Sequence, residues 1–395
     1  MPATSMRRSV AVVGLAVALL VGGLAAGTLA ADAPAAGAGV PARLAFLGEQ
    51  RLANGLSFQG TTVGGLSGID YDPKADRWYL ISDDRSATGP ARFYTADIEL
   101  DAGGLGPVEL TGVTPLLRPD GTPFPPATAG QGAPPDPEAI RFDPRAGTLL
   151  WTSEGERDLP ATGPPVLLDP WVREATTGGA FVRQLPTAPQ FHMNLQEVGP
   201  RRNETLEGLT LSGDGRQVVT AMEGPLFQDG PAPTPEQGAY VRITAHQRRG
   251  GLPTAQYAYP VEPIFAPPPA GQTGGNNGVT EILAAGENRW LVLERAFVSG
   301  LGNRVRIFVA DTSRASDVLE RDSLAGGGFR PAAKRLLLDL ADVPGLELVD
   351  NLEGMTWGPR LPDGRRSLVL VSDNNFNPVQ VTQFLAFAVT TGRDG

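Results

Sequence analysis

The chain has 395 residues, 43 acidic against 33 basic side chains, a formal charge of −10 and no cysteine. The missing thiols exclude disulfides, cysteine nucleophiles, a lipid-anchored N-terminal cysteine and cysteine-bound zinc. The acidic balance argues against nucleic acid or an anionic lipid surface as a partner.

Residues 1–31 read as a secretory signal. Arg7 and Arg8 supply the basic start, residues 10–26 an apolar stretch, and Ala30 and Ala31 the small residues of a cleavage site. Export to the periplasm or beyond is expected, with no stable membrane partner after cleavage. The run is also near the minimum spanning length, so a retained anchor is the alternative. Residues 43–52 are strand-like and lack a pairing segment before them.

A segment then recurs about every 70 residues, starting at Leu66, Pro137, Leu206, Thr280 and Leu352. Each copy reads as a short strand, a tight turn and a second apolar strand, with turns at Asp72-Pro73, Asp143-Pro144, Gly213-Asp214-Gly215 and Pro362-Asp363-Gly364. Third strands are predicted at 93–100, 240–245, 304–310 and 383–389, and fourth strands at 108–117, 256–265 and 334–340. The second copy is the weakest: residues 157–179 read as a loop and its outer strands fall around 181–198.

Four antiparallel strands per repeat predict an all-β chain, a β-propeller of five, or at most six, four-stranded blades over residues 42–390. The last repeat has no fourth strand of its own, so the N-terminal strand is expected to close the last blade and leave no open edge. An open sandwich is the alternative.

The spacing of acids turns this architecture into chemistry. One acidic position opens the first strand: Glu138, Glu207, Glu281 and Glu353, with Ser67 in the first copy. The other follows the second strand: Asp83, Glu154, Glu223, Glu294 and Asp373. Antiparallel pairing lays the start of one strand beside the end of the next, so both sets are expected at one mouth of the ring. In the shorter fourth hairpin, Thr280 competes with Glu281 for the inward position, because a one-residue slip reverses the face. Long Pro/Gly-rich stretches at 119–135, 157–179, 228–238 and 266–277 are expected to open on the same rim as binding or lid segments.

Crowded carboxylates repel unless protonated, spread apart or bridged by a cation. Hard oxygen donors with only two histidines, His192 and His246, suit Ca²⁺. Asn276, Asn277, Asn374, Asn375 and Asn377 could add amide oxygens. The competing reading of each Glu is that it satisfies backbone N–H groups of a neighbouring blade. Arg85, Arg157, Arg201, Arg202 and Arg295 accompany the acids. They could hold phosphate through paired N–H groups, or pair with the adjacent carboxylates as surface ions. Gly65-Leu66-Ser67-Gly68 fails as a nucleophile elbow because Ile69 replaces the second glycine. There is no P-loop and no histidine-based zinc motif.

The recurring Glu-Gly-Leu/Met, at residues 203–209 and 351–355, followed by Ser/Met-Asp/Glu-Gly/Asn, as at 372–375, resembles the phytase-like family, described by an esterase-like activity of phytase. The resemblance implies phosphoester hydrolysis by analogy with calcium-dependent propeller phytases, with Glu207, Glu223, Glu353 and Asp373 as ligand candidates. Those enzymes have six blades and several lysines at the phosphate site; this chain shows five repeats and only Lys74 and Lys334.

The expected function is an exported, Ca²⁺-dependent phosphoric ester hydrolase acting on a small-molecule phosphoester, as a monomer. Glu207 or Glu223 would accept a proton from water, and Arg85 or Arg295 would neutralise developing charge. Two alternatives stay open: a non-catalytic Ca²⁺-binding propeller that captures a protein or glycan, and a Ca²⁺-dependent lactonase.

Overall fold

The computed structural model describes Met1 and residues 39–101, 103–126 and 134–392. The expected signal segment lies outside them. All strands belong to one unit, Asp32–Gly395.

Strand β1 (Pro41–Leu52) and a small hairpin, β2 (Ser57–Phe58) with β3 (Thr61–Thr62), come first. Blade I follows as β4 (Leu66–Asp72), β5 (Arg77–Ser82), β6 (Arg92–Asp101) and β7 (Gly104–Pro115). Blade II is β8 (Pro137–Asp143), β9 (Thr148–Ser153), a side hairpin of β10 (Glu156–Asp158) and β11 (Val166–Leu168), then β12 (Trp171–Thr176) and β13 (Phe181–Gln184). Blade III is β14 (Leu206–Leu211), β15 (Gln217–Met222), β16 (Ala239–Gln247) and β17 (Pro253–Val261). Blade IV is β18 (Gly275–Gly286), β19 (Arg289–Val298), β20 (Gly302–Asp311) and β21 (Ala333–Asp339). Blade V is β22 (Leu352–Arg360), β23 (Arg366–Ser372) and β24 (Thr382–Thr391), with β1 as its outer strand.

The first strand of each blade packs on that of the next, and β22 packs on β4 to close a five-bladed β-propeller. Antiparallel pairing of β1 with β24, from Pro41 opposite Thr391 to Leu52 opposite Thr382, completes the last blade as expected. Two expectations for blade II are corrected. Residues 157–179 are not a loop but carry the side hairpin and the third strand, and 192–198 form no strand. Pro160, Pro164 and Pro165 split this stretch into pieces too short for an alternation pattern to show.

Alternating apolar residues fill the gaps between blades. Trp78 and Leu80 pack toward blade V with Val369 and Phe384, whereas Tyr79 and Ile81 of the same strand pack toward blade II with Ile140 and Trp151. A period of two thus supplies both neighbours, each buried side chain contributing roughly 1.5–3 kcal/mol. The Asp-Pro turns are set by their own side chains. Asp72 Oδ1 accepts N–H bonds from Lys74 and Ala75, and Asp143 Oδ1 accepts the equivalent pair from Arg145 and Ala146.

One side chain sits at the ring's centre. The guanidinium of Arg141 on β8 donates to inner-strand carbonyls of all five blades: Ile69, Ile140, Leu209, Ile282 and Met355. Its Nη2 also lies 2.6 Å from Glu281. Arg141 is buried.

Candidate metal centre and active site

Each inner strand carries a β-bulge, and in blades II, III and V the bulge holds an acid. Pairing is interrupted at Ser67 in blade I, Glu138 with Ala139 in blade II, Glu207 in blade III, Thr280 in blade IV and Glu353 in blade V. A bulged residue is unpaired and locally re-aimed. The second set follows the residue paired with each strand start: Asp83, Glu154, Glu223, Arg295 and Asp373 come directly after Ser82, Ser153, Met222, Glu294 and Ser372. Outside blade IV their N–H groups are fixed alike. Asp83, Glu154, Glu223 and Asp373 donate to the carbonyls of Gly65, Asp136, Thr205 and Asn351.

Two glycines make room. Gly65 has φ +61°, and a Cβ there would lie 1.9 Å from Asp83 Oδ1; a Cβ at Gly278 would lie 2.5 Å from Glu223 Cγ.

Blade IV therefore corrects the reading of its own repeat by one residue in each strand. Thr280 and Arg295 occupy the ring positions, and Glu281 and Glu294 turn away from the mouth. Glu281 accepts N–H bonds from Leu209 and Ile282 beside Arg141. Glu294 accepts from Tyr259 and the Glu262 N–H and lies 2.6 Å from Lys334. The physical reason is that β19 runs on to Val298 with no turn to mark the rim, so acidity alone misjudged the register.

The other seven predicted acids converge. Asp83, Glu138, Glu207, Glu353 and Asp373 line a cavity of about 630 Å³ together with Arg85 and Arg295. Glu154 and Glu223 are buried against it. Arg295 Nη2 lies 3.2 Å from Glu223 and 3.3 Å from Glu353. Arg85 contacts Asp136 and Asn203 and lies 3.6 Å from Glu156.

Other expected partners are placed elsewhere. Arg157 donates to Asn194 O, Arg201 to Pro225 O, and Arg202 to Glu156. Asn277 bonds Glu262 O, and Asn374 accepts from the Gly65 and Phe376 N–H groups. Among the described residues of the long Pro/Gly-rich stretches, only Asn276 lines the cavity. Asp136 and Asp350 line it too and were missed. A signal for Asp136 existed: it stands two residues before Glu138 and just before Pro137, which favours extended backbone.

Burial dominates the electrostatics. It pushes Asp83, Glu138, Glu154, Glu207 and Asp373 well above the usual carboxylate range, and neighbouring carboxylates add to the effect. Burial raises Glu223 and Glu353 to about 7 against the opposing charge of Arg295, and Asp136 to about 6 against Arg85.

The residues fit a divalent cation. Ligand oxygens of Asp136, Glu138 and Glu154 lie within 4.8 Å of one another, as do those of Glu154, Glu207 and Glu223. Glu154 belongs to both groups, is 1% exposed, and its Oε2 has no hydrogen-bond donor among the described residues.

The raised values set a pH dependence. Below about 4.5, the ordinary value for Glu, both folded and unfolded chains hold these protons; from there to about 7 the folded chain alone holds those on Glu223 and Glu353. The metal-free protein is therefore expected to lose stability as pH rises through this window, which urea unfolding in chelator at pH 5 and pH 8 would measure. Added divalent cation should reverse the trend, because its ligands must be deprotonated.

The family described as "Phytase-like: Esterase-like activity of phytase" matches residues 61–376. No curated protein matches the chain. Among solved structures, a thermostable family-43 glycoside hydrolase is 12% identical with a TM-score of 0.44, covering 84% of this chain and 95% of that one. A putative oxidoreductase (glucose dehydrogenase) from Thermus thermophilus is 18% identical with a TM-score of 0.34, covering 89% and 97%. A bifunctional GH43-CE protein of Bacteroides eggerthii is 10% identical with a TM-score of 0.37, covering 88% of this chain and 33% of that one. Among the described residues no helix is long and apolar enough to cross a membrane.

Proposed function

The chain belongs to the phytase-like family, and from that membership we propose that it is an exported, Ca²⁺-dependent hydrolase of small phosphoric esters. The observation that carries the reading is the convergence of seven predicted acids from four blades on one bowl, with two arginines among them. Carboxylate oxygens without imidazole or thiolate favour calcium among the divalent cations.

When bound, the cation would neutralise phosphoryl oxygens and lower the pKa of a water. The protein's own groups supply the rest. Glu207, on its bulge, lines the cavity and accepts the proton of the attacking water; Glu223, held by Arg295, is the second base candidate. The water oxygen bonds phosphorus, the ester P–O bond breaks, and a proton passes to the departing alcohol. Arg295 Nε has no partner among the described residues, and Arg85 is 35% exposed at the mouth. Both cations can face the charge that grows on phosphate.

The test is cleavage by the purified protein of a monoester, read as phosphate release, and of a diester, read as alcohol release, with a lactone as control, in Ca²⁺ and then in chelator. Chelator-sensitive release that falls at least about 100-fold in Glu207→Gln supports the assignment. Lactone opening alone, or stabilisation by Ca²⁺ without turnover of any of the three, overturns it.

A further inference from the structure

The mouth has a second wall that the hydrolysis reading leaves unused. Asn276 on β18 is paired with Phe297 on β19, and Phe297 with Asn303 on β20. Directly opposed residues in antiparallel strands share a face. The rim of blade IV therefore presents an aromatic ring between two carboxamides, and all three line the cavity. Phe297 is 40% exposed, an unusual position for a ring in a propeller whose other aromatics mostly pack between blades. From blade V, Asn375 and Gln380 line the same cavity, and their side chains, like that of Asn303, make no hydrogen bond among the described residues.

We propose that this wall binds the alcohol portion of the substrate, and that this portion is a neutral, hydroxyl-rich sugar carrying a single phosphate. The proposal rests on the hydrolase reading and adds the substrate class. An aromatic face matches the C–H face of a pyranose, and amides both donate to and accept from hydroxyls. Few, well-placed polar groups beside an apolar surface are what fixes orientation in a small-molecule site.

Charge points the same way. Seven carboxylates and two guanidiniums line the cavity, five negative charges in excess. With the ligand candidates Glu154 and Glu223 behind it also ionised, two divalent cations would still leave three negative charges in excess. A substrate with several phosphates would meet that excess with no lysine to receive it. One phosphate on the cations and arginines, with the sugar on the amide wall, does not.

The experiment compares glucose 6-phosphate, ethyl phosphate and myo-inositol hexakisphosphate as substrates of the intact protein and of Phe297→Ala and Asn303→Ala. Both changes are at the rim and spare the core. The sugar phosphate is expected to lead in kcat/KM. Each variant should lower the ratio of sugar-phosphate to ethyl-phosphate kcat/KM by about tenfold, chiefly through KM. An unchanged ratio, or preference for the hexakisphosphate, overturns the proposal. A separate arm keeps it distinct from the hydrolase reading: saturation-transfer NMR with methyl glucoside and methyl galactoside in Ca²⁺. If no ester is cleaved but a glycoside binds and Phe297→Ala abolishes that binding, the sugar wall stands and the hydrolase reading falls. Absence of glycoside binding together with equal turnover of all three esters sinks the wall alone.

Discussion

Glu154→Gln is expected to stabilise the metal-free protein and, in the same variant, to remove most of its stabilisation by Ca²⁺. Glu154 is shared by both candidate ligand groups; burial pushes its carboxyl up, and the charges of Asp136 and Glu223 add to the shift. A neutral amide of the same shape relieves that repulsion and can still accept the Thr205 N–H that Glu154 Oε1 accepts. Without metal, the melting temperature should rise at pH 8, where the wild-type carboxylates are most fully charged. With Ca²⁺ the order reverses, because ligand binding stabilises by RT ln(1 + [L]/Kd), about 2.7 kcal/mol at 100 times Kd. Thermal melts of both proteins, with and without Ca²⁺, give four numbers; equal shifts on adding Ca²⁺ would remove Glu154 from any metal site.

Arg141→Met should cost about 3–5 kcal/mol, the usual penalty for stripping one partner from a buried ion pair. The loss has two parts: carbonyls of all five inner strands lose a donor, and Glu281 is left buried without its cation. Glu281, pushed by burial to about 7 even with Arg141 beside it, would then keep its proton more firmly. The double change Arg141→Met with Glu281→Leu should therefore recover part of the loss, and a double-mutant cycle by urea unfolding reads the coupling. A single-mutant loss under about 1 kcal/mol would show that the centre of the ring is held by packing alone.

The fold was legible in the sequence because the repeat, the Asp-Pro turns and the missing last strand all pointed to closure. Period-two alternation in residues such as Trp78 to Ile81 marked strands that are buried on both sides. What the pattern could not give was register where no turn marks the rim. In blades I, II, III and V the second strand stops at Ser82, Ser153, Met222 and Ser372, and the acid follows. In blade IV the strand runs on, and Glu281 and Glu294 stand one residue from the true positions, Thr280 and Arg295, where acidity points to the wrong neighbour. Arg141 was invisible for a different reason: its role depends on five strands meeting at a point, a relation with no local signature. The row Asn276, Phe297, Asn303 shares that trait, since its members become neighbours only through pairing.

The pairing of β1 with β24 has a kinetic consequence. Its partners are separated by 330 to 350 residues, a long loop to close, and it completes the blade whose inner strand β22 packs on β4 to shut the ring. During synthesis, residues 41–52 are made long before 382–391, and until then their backbone groups pair with water rather than with β24. Glu353 and Asp373 reach the bowl from the blade that this pairing completes, whereas both candidate ligand groups come from blades II and III. Completion of the bowl's last wall and sealing of the ring are therefore one event, after the ligand groups have formed.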